Sequence, residues 1–139
     1  MQNIALFDGY VAAILARLFE SFPVKLGLDA REISGDMAVD DFGNVVGADG
    51  RPSRRFAIAL ATVEWLGEAG YIRVGDRGAF GWSAVALSPA GLELLKACPE
   101  SLKVKESIGE RIVRFVREGS LELAREAAKA ALAAGVGKL

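Results

Sequence analysis

Residues 51–95 read RPSRRFAIALATVEWLGEAGYIRVGDRGAFGWSAVALSPAGLELL, and their punctuation decides the fold. Ser53 is a polar cap in front of an apolar-periodic run, and Gly70 is the natural left-handed stop behind it. This predicts a helix from Ser53 to about Glu68. Phe56, Ala59, Leu60, Val63, Leu66 and Gly67 fall on one face of it. Tyr71–Val74 then alternates as a strand, GDRGAFG (75–81) is a glycine-rich turn, and Trp82–Leu87 is a returning strand. Ser88 and Pro89 open another helix, PAGLELLKAC, as N-cap and first helical residue.

Upstream, residues 4–22 place Phe7, Val11, Ile14, Leu15, Leu18 and Phe22 at three- and four-residue steps. Arg17 and Glu20 lie off the stripe, and Pro23 ends the helix. LDAREI follows as one or two helical turns capped by Asp29. Between Gly35 and Pro52, GDMAVDDFGNVVGADGRP is turn chemistry around two short extended pieces, 37–39 and 44–46, suited to a small hairpin. Its aspartates (36, 40, 41 and 49) invite a calcium reading, but a calcium loop needs glutamate at position twelve. Counted from Asp40, that position is Arg51, so they read as turn residues and no metal is expected. Downstream, residues 105–118 set Ile108, Ile112, Phe115 and Val116 against a charged face. Gly119 and Ser120 break that helix, and an alanine-rich helix follows.

The composition narrows the function classes. Hydrophobic residues are 52% and charged residues 25% of 139, ordinary for a folded domain and contrary to disorder. The formal net charge is −1, so any nucleic-acid role must rest on a local patch. The single cysteine, Cys98, allows no intrachain disulfide, fits a reducing cytoplasm and reads as a small hydrophobe. Histidine is absent, which removes histidine acid–base chemistry, the Ser–His and Cys–His dyads and histidine-bound metals. With no phosphate loop or dinucleotide fingerprint either, no catalytic residue and no cofactor is expected, and the chain reads as a non-enzyme. The Gly75/Gly78/Gly81 spacing is flanked by strands on both sides, which suits a turn rather than a phosphate cradle. No apolar run is long enough to span a membrane, so a cytoplasmic protein is expected.

The segment from Ala61 to Leu95 resembles the second half of a winged helix-turn-helix domain. A helix closing on Leu66 and Gly70 feeds a first wing strand, YIRV, and a glycine-rich wing returns into the helix start LSPAGLELL. The resemblance is specific over residues 56–96 and looser over 5–55. It implies an α+β, mostly helical fold: a winged-helix-like domain over 1–100 with a two-stranded wing, and a C-terminal helical pair over 101–139. That pair is either packed on the domain or used for dimerisation. The Asp/Gly-rich segment 35–52 is an insertion where the family has a turn of a few residues.

Two functions follow from that resemblance. In the first, the chain is a DNA-binding regulator, with the Ser53 helix against double-stranded DNA and a dimer contacting two half-sites. Arg51, Arg54 and Arg55 at the helix entrance and Arg73 and Arg77 on the wing would hold phosphates. Only Arg54 and Arg55 are chemically able to read base edges. In the second, the fold is a protein–protein interaction module presenting Ile58 and Trp65, with Ile108, Ile112 and Phe115. A helix apolar nearly all round is expected to be covered on both sides. Ile58, Ala61 and Trp65 are therefore expected to lie beneath the C-terminal helices, the Asp/Gly segment or another subunit, with cover from within the chain the simpler case.

Overall fold

The computed structural model describes residues 3–99 and 105–136. The first helix, α1 (Asn3–Ser21), is 19 residues long and sits at the centre of the molecule. Its apolar surface is wider than the six-residue stripe. Val11, Ile14 and Leu18 are fully buried, Leu15 and Ala12 nearly so, and Tyr10 and Ala16 join them. The reason is packing on several sides: α3, α5 and α6 all lie against α1, and the sheet touches it too. Phe22, assigned to the stripe, is exposed beyond the last turn.

Residues Leu26–Asp29 form a strand, β1, that sequence reading does not anticipate. Its partner lies more than fifty residues downstream: Leu28 pairs with Trp82 and Leu26 with Val85, antiparallel. Two residues of β1 thus span three of its partner, and the additional residue is accommodated at Ala84, the one described non-glycine residue with positive φ (52°). This bulge lets Trp82 and Val85 both face the core, while Ser83 and Ala84 lie outside. A left-handed alanine costs on the order of 1 kcal/mol, which the two buried side chains offset.

The remaining elements follow their local signals. Helix α2 (Ala30–Ser34) is capped by Asp29, which accepts from the Arg31 N–H at 2.8 Å, and stops at left-handed Gly35. Across 36–52, a single bridge joins Val39 to Val45, the expected hairpin in minimal form, and a second, not anticipated, joins Val46 to Pro52. Its aspartates hold turns: Asp40 Oδ1 accepts from the N–H groups of Phe42 and Asn44, and Asp49 Oδ1 from that of Arg51. Helix α3 (Arg54–Glu68) is capped by Ser53, whose Oγ accepts from Phe56 N–H at 3.0 Å. It is followed by β2 (Ile72–Arg73) and β3 (Gly81–Leu87), and the sheet order is β1-β3-β2. The predicted two-stranded unit is therefore part of a three-stranded antiparallel sheet in a mostly helical α+β fold.

Helix α4 (Pro89–Lys96) starts at Ser88, whose hydroxyl donates to the Gly70 carbonyl at 2.5 Å and accepts from Gly91 N–H. One serine thus ties the exit of α3 to the entrance of α4. Gly91 sits so close to the chain that a Cβ would run into the Tyr71 carbonyl. Cys98, read as a small hydrophobe, is exposed beyond the end of α4. The expected boundary near residue 100 lies outside the described residues. Helix α5 (Ile108–Glu118) opens with a capping box between Ser107 and Glu110 and ends at left-handed Gly119. Helix α6 (Leu121–Val136) then turns back, and Ala124, Ala128 and Ala131 are buried where it approaches its neighbours. No described helix is long and apolar enough to cross a membrane.

One polar group is enclosed with α1. Asp8 is 8% exposed and faces Arg125, Glu126 and Lys129 of α6. Burial holds its carboxyl above the usual 3.8; the Lys129 and Arg125 charges oppose that shift and Glu126 adds to it. A carboxyl with a raised pKa in the fold binds its proton more tightly there than in the unfolded chain. Stability therefore falls as pH rises from about 3.8 through the raised value. Asp8→Asn is expected to raise Tm at pH 7, with the advantage vanishing as melting is followed below pH 3.8. Gly91→Ala is expected to cost about 1–3 kcal/mol in urea unfolding, because the obstructing atom is backbone.

Candidate nucleic-acid interface

The ends of α3 are fixed from outside the helix. At its start the Ser53 Oγ, besides capping the helix, donates to Asp36 Oδ2 at 2.5 Å, which anchors the Asp/Gly segment beside the first turn. Phe56 of that turn meets the ring of Phe80 edge-on at 6.3 Å, and the Arg31 guanidinium lies over Phe80 at 4.0 Å. Arg31 is in turn held by Asp29, with Nη2 to Oδ2 at 2.7 Å, and this ion pair keeps the Asp29 carboxyl below its usual range. The end of the β2–β3 turn, the helix entrance and α2 thus form one locked corner. Sequence reading overlooked Arg31 and Phe80; an aromatic residue in an otherwise glycine-rich turn was the available sign.

The outer face of α3 is open. Arg54, Arg55, Ala57, Ala61, Glu64 and Glu68 are exposed, Ile58 is half-buried and Trp65 is 41% exposed. Among the described residues the expected cover is partial: Ile58 packs half-buried against the core, while Ala61 and Trp65 stay exposed because α5 and α6 are packed on α1 instead. Trp65 is nonetheless supported from beneath. Its ring meets Phe7 edge-on at 5.2 Å and stacks on Tyr71 at 6.3 Å, binding α3 to α1 and to the start of β2.

The five arginines divide into groups. Arg51 and Arg54 stand exposed at the entrance of α3. Arg55 is exposed on the side of that entrance nearest Tyr10 and Asp36. Arg73 and Arg77 lie across the helix on the sheet side. Arg73, Glu64, Glu68 and Trp82 line one cleft of about 570 Å³. Arg77 is folded back: Nη1 reaches Glu64 Oε1 at 3.5 Å, Nε donates to the Gly78 carbonyl, and the guanidinium covers Trp82 at 4.6 Å. Arg51, Arg54, Arg55 and Arg73 make no side-chain hydrogen bond or ion pair with another described residue. Positive charge at a helix start opposes the helix dipole by about 0.3–1 kcal/mol per residue, and the first turn of α3 carries no acidic side chain. That arrangement is locally unfavourable until an anion meets it.

The residues assigned to a partner surface on α5 belong to the core. Ile112 is fully buried, Phe115 is 6% exposed and Ile108 packs half-buried against them. The apolar face of α5 turns toward α1, and Arg114, held by Glu106 at 2.9 and 3.0 Å, lies over the Phe115 ring at 4.5 Å. The exposed apolar residues of this region are instead Val116, Leu121 and Leu123.

No protein-family model matches the chain, and comparison with curated proteins and with solved structures finds no significant match.

Ile112→Ala and Phe115→Ala are expected to lower unfolding free energy by about 2–5 kcal/mol while leaving the sedimentation coefficient of the folded fraction unchanged. A change of assembly state at full stability would return these residues to an interface.

Proposed function

We propose that this chain is a small winged-helix-type protein that binds double-stranded DNA through the phosphate backbone, with α3 as the element facing the duplex. The observation that carries the reading is the open outer face of α3, with arginines at its entrance that pair with no other described residue. The element order α1-β1-α2-α3-β2-β3 and the sheet order β1-β3-β2 support it, since that order sets the β2–β3 turn beside α3. Arg51 and Arg54 meet one phosphate run, and Arg73 and Arg77 meet the backbone on the other flank. Between them Ala57 and Ala61 offer no paired donors or acceptors, so affinity comes from charge and carries little sequence information. Glu64 and Glu68 would face phosphates unfavourably; the Arg77 contact offsets the first. The protein performs no chemistry on its ligand in this reading.

A second reading, a protein-interaction surface on the same face, is favoured by Trp65, whose half-exposed ring beside Ala61 is a typical anchor for a protein partner. Anisotropy titration of a random-sequence duplex at about 50 and 200 mM salt separates the two. The DNA reading expects affinity to drop steeply between those salts, to be lost in Arg54→Glu, and to rise several-fold in Glu64→Gln. Absence of duplex binding at low salt, or binding unchanged in Arg54→Glu, rejects it and leaves the Trp65 surface.

A further inference from the structure

A second site lies behind the entrance of α3. Leu6, Tyr10 and Ala13 of α1, Ile33 of α2, Arg55 of α3, and Leu121 and Arg125 of α6 line a cleft of about 270 Å³. That is just below the ~300–1,000 Å³ of sites for drug-sized molecules, so its occupant is small. Four of these side chains are apolar; the polar groups are a phenol, two guanidiniums and the hydroxyl of Ser34, which is held by the Arg31 carbonyl.

Tyr10 gives the cleft its direction. The residue is 8% exposed and lines the cleft; its hydroxyl makes no hydrogen bond with a described residue and is not among the enclosed unpartnered polar atoms, so it opens onto the cleft. A phenol hydroxyl on a cleft wall, free of protein partners among the described residues, can donate to a ligand. Burial raises the phenol above its usual pKa of 10; the Arg55 charge opposes the shift and Asp36 adds to it, so the group is a protonated donor at neutral pH. Arg55 makes no ion pair or hydrogen bond with another described residue. Arg125 is paired to Glu122 at 3.2 Å but adds its charge to the same cleft. Of the acidic groups at its border, Asp36 accepts from Ser53, Glu122 accepts from Arg125 and Asp8 faces Arg125, so Arg55 is the cation left to a ligand.

We propose that this cleft binds a small organic carboxylate with a short apolar body. The carboxylate lies between Arg55 and the Tyr10 hydroxyl, and the body rests on Ala13, Ile33 and Leu121. Neutral analogues lack the charge that Arg55 selects, and bare inorganic anions lack the body that the apolar wall selects. Because Arg55 stands at the entrance of α3, an occupied cleft engages a cation that would otherwise meet phosphate. The ligand therefore weakens DNA binding, a consequence that rests on the DNA reading above, whereas the site itself does not.

The probe is benzoate, with benzyl alcohol and inorganic phosphate as controls, titrated into the full chain and followed by amide chemical shifts. The expected result is saturable binding of benzoate with shifts centred on Tyr10, Ile33 and Leu121. Arg55→Gln should weaken it about tenfold or more and Tyr10→Phe several-fold, with benzyl alcohol and phosphate not saturating at the same concentrations. Equal binding of benzyl alcohol, saturation by phosphate with the same shifts, indifference to Arg55→Gln, or no saturable binding each overturns the site. Duplex binding is measured with and without benzoate. Benzoate saturation in a chain that binds no duplex rejects the DNA reading and keeps the site. Unchanged duplex affinity at saturating benzoate overturns the coupling.

Discussion

The structure depends on burying α1 from several sides at once. Val11, Ile14, Leu15 and Leu18 are at most 1% exposed. At about 1.5–3 kcal/mol for each fully buried side chain, this one helix contributes a large share of a net stability on the order of 5–15 kcal/mol. Its surface is too wide for the α3 and sheet side to cover alone. Helices α5 and α6 complete the cover, and their amphipathic faces are spent on that task. The same packing leaves the outer face of α3 open. The accessibility of α3 is thus a consequence of what α1 requires.

Close approach makes this arrangement specific. A Cβ at Gly109 would strike the ring of Phe19 where α5 meets α1, and one at Gly135 would strike the Tyr71 ring where α6 meets the start of the sheet. Tyr71 in turn stacks on Trp65, and Trp65 meets Phe7. Aromatic contacts therefore run from the last helix through the sheet and α3 to α1. A ligand or partner that shifts Trp65 acts on the joint between α1 and α3.

Electrostatics at α3 oppose the packing logic. Cations at the start of a helix cost stability, yet Arg54 and Arg55 occupy the first turn. Asp36 at the capping serine gives partial relief, and Arg77 is withdrawn to Glu64 on the same helix. A surface that is locally unfavourable without an anion, and that borders a cleft lined by the Tyr10 phenol, is the region where ligands gain most. A Coulomb contribution here is sensitive to salt because the groups are exposed.

What the sequence determined by itself was local. Asp29, Ser53 and Ser88 cap helices where they were expected, Gly70 and Gly119 take left-handed conformations, and the apolar periods mark the helices that form over 54–68 and, within the expected 105–118, over 108–118. Each of those signals is completed within a few residues, because a cap or a turn needs only its own neighbours. What only the tertiary structure decided were the pairings. Strand β1 exists because β3 is beside it, and its bulge at Ala84 is set by which side chains must reach the core. Periodicity showed that α5 had an apolar face, but not that Ile112 and Phe115 would meet α1 rather than a partner. The candidate site was legible as a list of arginines. Its division was not, since Arg77 pairs with Glu64 and Arg55 lines a cleft with Tyr10 across distances in sequence that no local pattern records. A period fixes which face of an element is apolar; only the packed chain fixes what that face touches.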